Sequence, residues 1–171
     1  MTLRPFAPSE FDALWASVSS ADPAVAVGTM DPELLRERVG TSGQMTEREL
    51  LLAVETDGRL VGSIQGYRGG LPDGVFELGI ELFDEADRGN GYGTAAVKAL
   101  VTRLFDSEGA RKVEAGTAVG NAGMLAVLER VGFRQEGVRR AWYPSDDGAG
   151  SDCVMYGMTR DDYEDVKTGW I

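Results

Sequence analysis

The sequence predicts a mixed α/β fold in which helices cover both faces of a central sheet. The main observation is the order of its segments, since β-like and helical stretches follow one another as β-α-α-β-β-β-α-β-α-β-β. The length of 171 residues suits a single domain over 1–171, and no long linker divides it. The composition, 43% hydrophobic and 26% charged, is typical of an ordinary globular protein.

The N-terminal part of the chain predicts one strand followed by two helices. Residues 2–6 have a β-like pattern, and residues 8–20 carry apolar side chains at helical spacing. Residues 21–30 are expected to form a loop. Residues 31–40 predict a short helix, because Pro32 stands at the first helical position, where its missing N–H costs nothing.

The middle of the chain predicts three strands. Residues 49–68 contain two β-like runs around Asp57 and Gly58, a pair that favours a tight hairpin turn. The glycines and proline of residues 69–74 predict a loop. Residues 75–82 alternate between apolar and other side chains, so the two glutamates of this strand share one face.

The remaining segments continue the pattern up to a polar tail. They are a helix over 92–109, a strand over 110–119, a helix over 121–133, a strand over 133–143, a turn over 144–150 and a strand over 151–158. No element is predicted after residue 158.

Three glycines, Gly89, Gly91 and Gly93, lie between the strand over 75–82 and the helix that follows. Such a turn at a helix N-terminus can bind an anion, because unpaired amide N–H groups converge where the helix dipole is positive. The stretch partly imitates the dinucleotide pattern Gly-x-Gly-x-x-Gly, but its third glycine comes too soon, and a P-loop would need Gly-Lys-Ser/Thr. The glycines alone leave a phosphate site and a tightly packed turn open.

The sequence has no histidine and one cysteine, Cys153. This excludes Ser-His-Asp and Cys-His catalytic units, imidazole metal sites, internal disulfides and cysteine metal clusters. We expect no metal, and acid–base chemistry must come from Asp, Glu, Lys, Tyr, a chain terminus or water.

The formal net charge of −11 argues against nonspecific nucleic-acid binding and favours a cationic partner. No apolar run reaches the ~18 residues that a membrane span requires. The N-terminal residues have no secretory signal pattern. We therefore expect a cytoplasmic protein that binds neither nucleic acid nor membrane.

Several motifs, in order along the chain, resemble one enzyme superfamily. "RGNGYG" at 88–93 fits the Arg/Gln-x-x-Gly-x-Gly/Ala signature of the GNAT superfamily of acetyl-CoA-dependent N-acetyltransferases. "NAGMLAVLERVGFRQEG" at 121–137 resembles the next block of that superfamily. "LRPF" at 3–6 and "DCVMYGMTRDDY" at 152–163 resemble its RimJ/RimL-like branch. The resemblance covers nearly the whole chain.

The resemblance implies the GNAT fold, with a mostly antiparallel sheet, and acetyl-CoA as the cosubstrate without a metal. The implied binding residues for the coenzyme A diphosphate are Arg88, Gly89, Asn90, Gly91, Tyr92, Gly93 and Thr94. Asn121 would contact the pantetheine arm or an ordered water, although it also suits a plain helix N-cap. The strands over 75–82 and 110–119 would splay apart and hold the acetyl group between them.

Glu77 and Glu81 are the candidate catalytic residues, because they share the strand face that should line the acetyl site. An alkyl amine with a pKa of ~10.4 is protonated at pH 7, so acetyl transfer to it needs a proton acceptor. Glu77 is preferred, since RimJ/RimL-type sequences often carry an acid there. The alternative is a solvent-facing polar stripe on an amphipathic strand.

The general acid stays open, and water or no dedicated acid would also suffice, because a coenzyme A thiolate is a tolerable leaving group. Many superfamily members have a tyrosine where this chain has Leu128, which cannot donate a proton. Tyr143 and Tyr156 are substitutes that also suit core packing or a structural hydrogen bond. Cys153 has no evident base or helix terminus to activate it and suits packing.

These features predict an N-acetyltransferase that moves an acetyl group from acetyl-CoA to a primary amine by direct attack in a ternary complex. The acceptor would be a protein N-terminus or a small cationic amine such as a polyamine or an aminoglycoside. The alternative is a coenzyme A-binding module without transferase activity. The branch resemblance is compatible with a homodimer.

Overall fold

The computed structural model describes residues 1–20, 31–145 and 147–170. Its strands are β1 (Thr2–Arg4), β2 (Glu49–Thr56), β3 (Arg59–Tyr67), β4 (Val75–Leu82), β5 (Lys112–Ala118), β6 (Arg134–Tyr143) and β7 (Ser151–Thr159). Its helices are α1 (Phe11–Ser20), α2 (Pro32–Gly40), α3 (Tyr92–Asp106), α4 (Ala122–Val131) and α5 (Arg160–Lys167). The loop predicted over 21–30 lies outside the described residues, as does Asp146 of the turn predicted over 144–150.

The strands form one seven-stranded sheet in the order β1-β2-β3-β4-β5-β7-β6. Neighbouring strands are antiparallel except for β4 and β5, which are parallel. The β2–β3 hairpin turns at Asp57 and Gly58, whose φ angles of 51° and 76° are those of a tight hairpin turn. The predicted mixed, mostly antiparallel sheet is thereby confirmed.

The parallel strands β4 and β5 pair only at their N-terminal ends. Their register runs from Val75 opposite Lys112 to Glu77 opposite Glu114. Each strand continues well beyond this last pair, and β5 stays paired with β7 along its whole length. The C-terminal halves of β4 and β5 therefore separate and leave a gap in the sheet.

Helices cover both faces of the sheet, as predicted. On one face, α3, α4 and α5 pack around the main core, to which α3 contributes Leu100 and Leu104 and α4 contributes Leu128. On the other face, a smaller core joins Leu35 of α2 to Leu51 of β2. In the described residues no helix is long and apolar enough to cross a membrane.

The C-terminal tail differs from the prediction, because residues 160–167 form helix α5. Thr159 caps this helix, and its N–H donates to the carboxylate of Asp162 at 3.0 Å. Tyr163 is fully buried, with its ring stacked on Phe105 of α3 at 4.7 Å between centroids. The helix escaped prediction because its sequence is strongly polar, and a tertiary contact through one aromatic residue stabilises it.

Candidate active site

The glycine loop joins β4 to the N-terminus of α3. Gly91 is the N-cap of α3 and has a φ of 84°, which glycine adopts without strain. The N–H of Ala95 donates to the Gly91 carbonyl at 3.0 Å and begins the helical hydrogen bonding. The amides of residues 92–94 therefore have no acceptor within the helix. Their N–H groups lie at the positive end of the helix dipole, which favours an anion.

An ion pair holds the start of this loop against the β2–β3 hairpin. Arg59 donates to both carboxylate oxygens of Asp87, at 2.5 and 2.9 Å, and the Asp87 side chain is only 6% exposed. The Arg59 guanidinium lowers the pKa of the Asp87 carboxyl. Within the loop, the Asn90 side chain donates to the Ala86 carbonyl at 2.9 Å. These contacts hold the loop in its position.

A cavity of about 630 Å³, called here the first cavity, lies between this loop, the end of β4 and one face of α4. Six of the predicted cofactor-binding residues line it: Arg88, Gly89, Gly91, Gly93, Thr94 and Asn121. Asn90 and Tyr92 are not among its lining residues. The loop and the α4 N-terminus, separate in sequence, thus lie on one cavity.

The lining of the first cavity suits a phosphate-bearing ligand. A Cβ atom added at Gly89 or Gly91 would meet no atom within 4 Å, so the backbone there is open to a ligand. Arg88 adds a positive charge to the free amides. Asn121 caps α4, because its side-chain oxygen accepts from the N–H of Met124 at 3.1 Å, and it lines the cavity as well. Among the described residues, no group of Cys, Asp and Glu side chains is arranged to hold a metal ion.

A second cavity, of about 430 Å³, lies on the opposite face of the sheet under α2. Helix α2 contributes Leu34 and Arg38 to its wall, and the sheet contributes Tyr67, Glu77 and Gly79. Tyr67 lies opposite Glu77 in the β3–β4 register, so the two side chains share this face. The second cavity thus combines apolar walls with two glutamates, Glu49 and Glu77, and two arginines, Arg38 and Arg48. The Arg38 guanidinium donates to the Glu49 carboxylate at 2.8 Å.

Neighbouring residues of β4 line the two cavities. Gly79 lines the second cavity and Ile80 lines the first, and both lie beyond Glu77, where pairing with β5 ends. The gap between β4 and β5 therefore has a cavity on each side. Glu77 lines the second cavity and Glu81 the first. The two glutamates share one face of β4 and lie roughly 13 Å apart along the strand at ~3.3 Å per residue.

Glu77 is a half-buried carboxylate with charged neighbours. Burial raises the pKa of Glu77, the carboxylate of Glu114 raises it further, and Arg139 opposes both effects. Lys112 partly neutralises Glu114, with its Nζ atom 3.5 Å from the Glu114 carboxylate. A carboxyl group whose pKa is raised in this way, in a cavity, is a candidate proton acceptor.

The tyrosines have different environments. Tyr156 is buried, and its hydroxyl donates to the carboxylate of Glu129 at 3.0 Å, so its role is structural. Tyr143 is half-buried, with its hydroxyl 3.6 Å from the Cys153 sulfur. Burial raises the pKa of Tyr143 to about 12, and the contact with Cys153 adds to this. Leu128 is fully buried in the core. Of the two predicted candidates, Tyr143 is therefore the one whose hydroxyl does not donate to a carboxylate in the described structure.

Cys153 is a packing residue. Its side chain is 1% exposed, and its sulfur fills the space beside Gly116 of β5, where an added Cβ would lie 2.9 Å away. This contact places the sulfur, and with it the Tyr143 hydroxyl, beside a strand that borders the gap.

Sequence reasoning did not find three residues of this region. Arg59 and Asp87 are 28 positions apart, so no local pattern links them. Arg130 also lines the first cavity. The helical repeat could have indicated it, because it lies seven residues after Gly123, on the same face of α4.

Residues 1–134 match the family model described as "Acetyltransferase (GNAT) domain". The match covers more than half of the chain and extends from β1 to the first residue of β6. The chain belongs to the GNAT acetyltransferase family. The glycine loop and the first cavity of this GNAT domain lie within the matched residues.

Curated relatives of the GNAT domain include two Bacillus subtilis proteins. It is 36% identical over 88 residues to "Probable N-acetyltransferase YjcK", a match that covers 50% of this chain and 47% of YjcK. It is 33% identical over 112 residues to "Putative ribosomal N-acetyltransferase YdaF", covering 65% of this chain and 60% of YdaF. The chain thus spans between about half and three fifths of the length of these relatives.

Solved structures share the fold of the GNAT domain. RimJ of Mycobacterium smegmatis in complex with CoA-disulfide superposes with a TM-score of 0.73 and 23% identity, covering 98% of this chain and 88% of RimJ. A spermidine N-acetyltransferase SpeG chimera from Vibrio cholerae and hSSAT superposes with a TM-score of 0.76 and 17% identity, covering 96% and 99% of the two chains. At these identities the likeness concerns the fold.

Proposed function

We propose that this GNAT domain transfers the acetyl group of acetyl-CoA directly to a primary amine bound in the same complex. The observation that carries the proposal is that two adjacent β4 residues, Gly79 and Ile80, line one cavity each beside the gap between β4 and β5. A thioester in the first cavity and an amine in the second would come together at this gap. Direct attack then needs no acyl-enzyme nucleophile.

The first cavity is the proposed cofactor site. Acetyl-CoA supplies an activated acetyl thioester on a long arm that ends in a diphosphate. The free amides of residues 92–94, the open backbone at Gly89 and Gly91 and the guanidinium of Arg88 would bind the diphosphate. Beyond Glu77, the side of β4 that faces β5 has no partner strand, so its backbone groups are available to the arm and the acetyl carbonyl.

Glu77 is the proposed proton acceptor. It lines the second cavity two residues before Gly79, close to the gap, and can attract an ammonium group before it takes the proton, directly or through water. Its raised pKa brings the carboxyl group nearer to the working pH. Glu81 is the second candidate, but it lies in the cofactor cavity.

Tyr143 is the proposed proton donor to the departing sulfur. Its contact with Cys153, which packs on Gly116 of β5, brings its hydroxyl near a strand that borders the gap. A pKa of about 12 keeps this hydroxyl protonated at neutral pH. Glu77 would take a proton from the amine, and Tyr143 would give a proton to the coenzyme A sulfur as it leaves.

The proposed acceptor is a cationic amine. The net charge of −11 and the carboxylates of Glu77 and Glu114 favour an ammonium group over a neutral one. The ribosomal acceptor in the name of YdaF supports a protein N-terminus as the first candidate. The spermidine in the description of SpeG supports a polyamine as the second, and an aminoglycoside belongs to the same class of small cationic amines.

The proposal is tested by measuring release of coenzyme A with a panel of peptides, polyamines and aminoglycosides. We expect turnover with at least one class and an acetylated amine in the mass spectrum of the product. Tight acetyl-CoA binding without turnover on any acceptor would instead indicate a coenzyme A-binding module.

A cytoplasmic location and a homodimeric assembly also belong to the proposal. Both come from the sequence expectations described above. Light scattering of the purified chain distinguishes a monomer from a dimer, and cell fractionation locates the protein.

A further inference from the structure

The first cavity contains a basic residue that the proposed diphosphate site leaves unused. Arg130 belongs to the last turn of α4 and lines this cavity together with Arg88. Its side chain is exposed, and it makes no hydrogen bond or ion pair with any residue that the structure describes. A free guanidinium on a ligand cavity is available to an anionic group of the ligand.

Arg130 lies on the cavity side of α4, beyond the level of the diphosphate site. Gly123, Val127 and Arg130 follow one another at helical spacing, and all three line the cavity. Val127 marks the level of the α3 N-terminus, since a Cβ atom added at Gly93 would lie 3.7 Å from its methyl carbon. Arg130 is one turn further along α4, roughly 4.5 Å, on the side away from Asn121.

The charge around the first cavity is divided between its two ends. Glu81, the acidic residue of its described lining, belongs to β4 beside the gap. Arg88 and Arg130 contribute positive charge, although the whole chain carries −11. A ligand that extends from the gap past the α3 amides would therefore meet Arg130 with its far end.

Coenzyme A carries a second anionic group besides its diphosphate. This group is a phosphate monoester on the 3′ carbon of the ribose, close to dianionic at neutral pH and rich in hydrogen-bond acceptors. A guanidinium can donate two parallel hydrogen bonds to such a phosphate, which an ammonium cannot do.

The geometry points to Arg130 as the residue that binds the ribose 3′-phosphate of coenzyme A and makes this domain prefer coenzyme A to 3′-dephospho-coenzyme A. The inference rests on the proposed cofactor site and adds a subsite to it. The diphosphate stays with the glycine loop, and the phosphate monoester belongs to α4.

Isothermal titration of the full chain with coenzyme A and with 3′-dephospho-coenzyme A tests this subsite. We expect the unmodified chain to bind coenzyme A about tenfold more tightly or better, as befits a charge-assisted contact. Arg130→Gln should bind both ligands equally, with its affinity for the dephospho form unchanged. Arg130→Lys should keep part of the preference. Arg140→Gln, on exposed β6 and outside the cavity lining, is the matched control and should keep all of it.

Other outcomes would overturn the inference. If Arg130→Gln keeps the preference while Arg88→Gln loses it, the 3′-phosphate binds at the loop. If Arg130→Gln only lowers the melting temperature, the residue serves the negative C-terminal end of the α4 dipole. Equal binding of both ligands by the unmodified chain overturns the subsite but not the transferase. Failure to bind either ligand overturns the cofactor site itself and the subsite with it.

Discussion

Glu77 combines three properties at one position. It is the last β4 residue paired with β5, it lines the second cavity, and its carboxyl group is half-buried beside Glu114. A solvent-facing polar stripe, the alternative reading of the strand pattern, would give neither the burial nor the cavity. The structure therefore supports the view of Glu77 as a functional carboxylate, and it sets Glu81 apart in the other cavity.

We predict that Glu77→Gln lowers kcat/KM for the best acceptor roughly 100-fold or more, because a general base contributes about 10²–10⁴-fold. The base must be deprotonated to act. The activity of the unmodified enzyme should therefore fall as the pH drops through the raised pKa of Glu77, and this limb should vanish in the variant. Initial rates across pH 4 to 9 measure both effects.

The stability of Glu77→Gln separates catalysis from structure. Because the pKa of Glu77 is raised, the folded chain holds this proton more tightly than the unfolded chain does. Stability then falls as pH rises from the unfolded pKa, ~4.3, to the folded value, and the charged form is unfavourable above it. The variant should melt at or above the temperature of the unmodified chain at pH 8. Full activity in both Glu77→Gln and Glu81→Gln would remove the carboxylate base from the mechanism.

At the scale of single elements, the connection from β4 to α3 forms the proposed diphosphate site. Position 91 requires glycine, since its φ of 84° is strained for other residues. Gly93 has ordinary helical backbone, and an added Cβ would lie 3.7 Å from Val127, a normal contact. The two glycines therefore serve different purposes, one for the turn and one for the open cavity wall.

Alanine at each of these glycines should separate the two purposes. We predict that Gly91→Ala lowers both stability, by about 1–2 kcal/mol, and acetyl-CoA affinity. Gly93→Ala should leave stability equal or raise it by up to about 1 kcal/mol, because alanine favours a helix. It should still weaken acetyl-CoA binding, because its methyl group enters the cavity. Thermal melts and calorimetric titrations measure the two quantities, and unchanged binding in Gly93→Ala would move the ligand away from α3.

The same connection depends on the Arg59–Asp87 ion pair. We predict that Arg59→Gln lowers the melting temperature and weakens acetyl-CoA binding several-fold, since it leaves a buried carboxylate without its cation. Glu33→Gln, which removes an exposed pair with Arg36 on α2 and keeps the Arg36 guanidinium over the Phe11 ring, is the control and should change neither. If loss of the Arg59 pair lowers stability alone, the loop reaches its binding geometry without this anchor.

At the scale of the whole molecule, local sequence signals predicted the sheet and the glycine loop, and contacts distant in sequence account for the rest. The Asp57-Gly58 turn and the Asn121 cap depend on neighbouring residues, so their patterns were visible. Helix α5 is capped but polar, and it depends on the stacking of Tyr163 on Phe105, which lies 58 positions earlier in the chain. The position of the two cavities on either side of β4 depends on where pairing with β5 stops, and no local sequence pattern predicts that point.

Docking of α5 joins the C-terminus to the core. We predict that Tyr163→Ala costs roughly 3 kcal/mol or more of unfolding free energy, because it removes a fully buried ring that packs on Phe105. Asp165→Ala, on the exposed side of α5, should change stability by less than about 0.5 kcal/mol. Denaturant titrations measure both, and the coenzyme A affinity of the folded Tyr163→Ala chain should stay unchanged, since α5 contributes nothing to the first cavity lining.

The net charge of −11 creates an electrostatic potential around the whole molecule. The salt dependence of the reaction rate should show whether this potential attracts the acceptor amine. Raising the ionic strength from about 0.01 to about 0.15 M shortens the Debye length from about 30 to about 8 Å and screens attraction beyond direct contact. We predict that kcat/KM falls over this range, more steeply for a tetraamine than for a diamine and least for a monoamine, because long-range attraction scales with acceptor charge. Steady-state rates at saturating acetyl-CoA measure these slopes. Equal salt dependence for all three amines would mean that the second cavity recognises its acceptor by contact alone, with no contribution from the charge of the molecule.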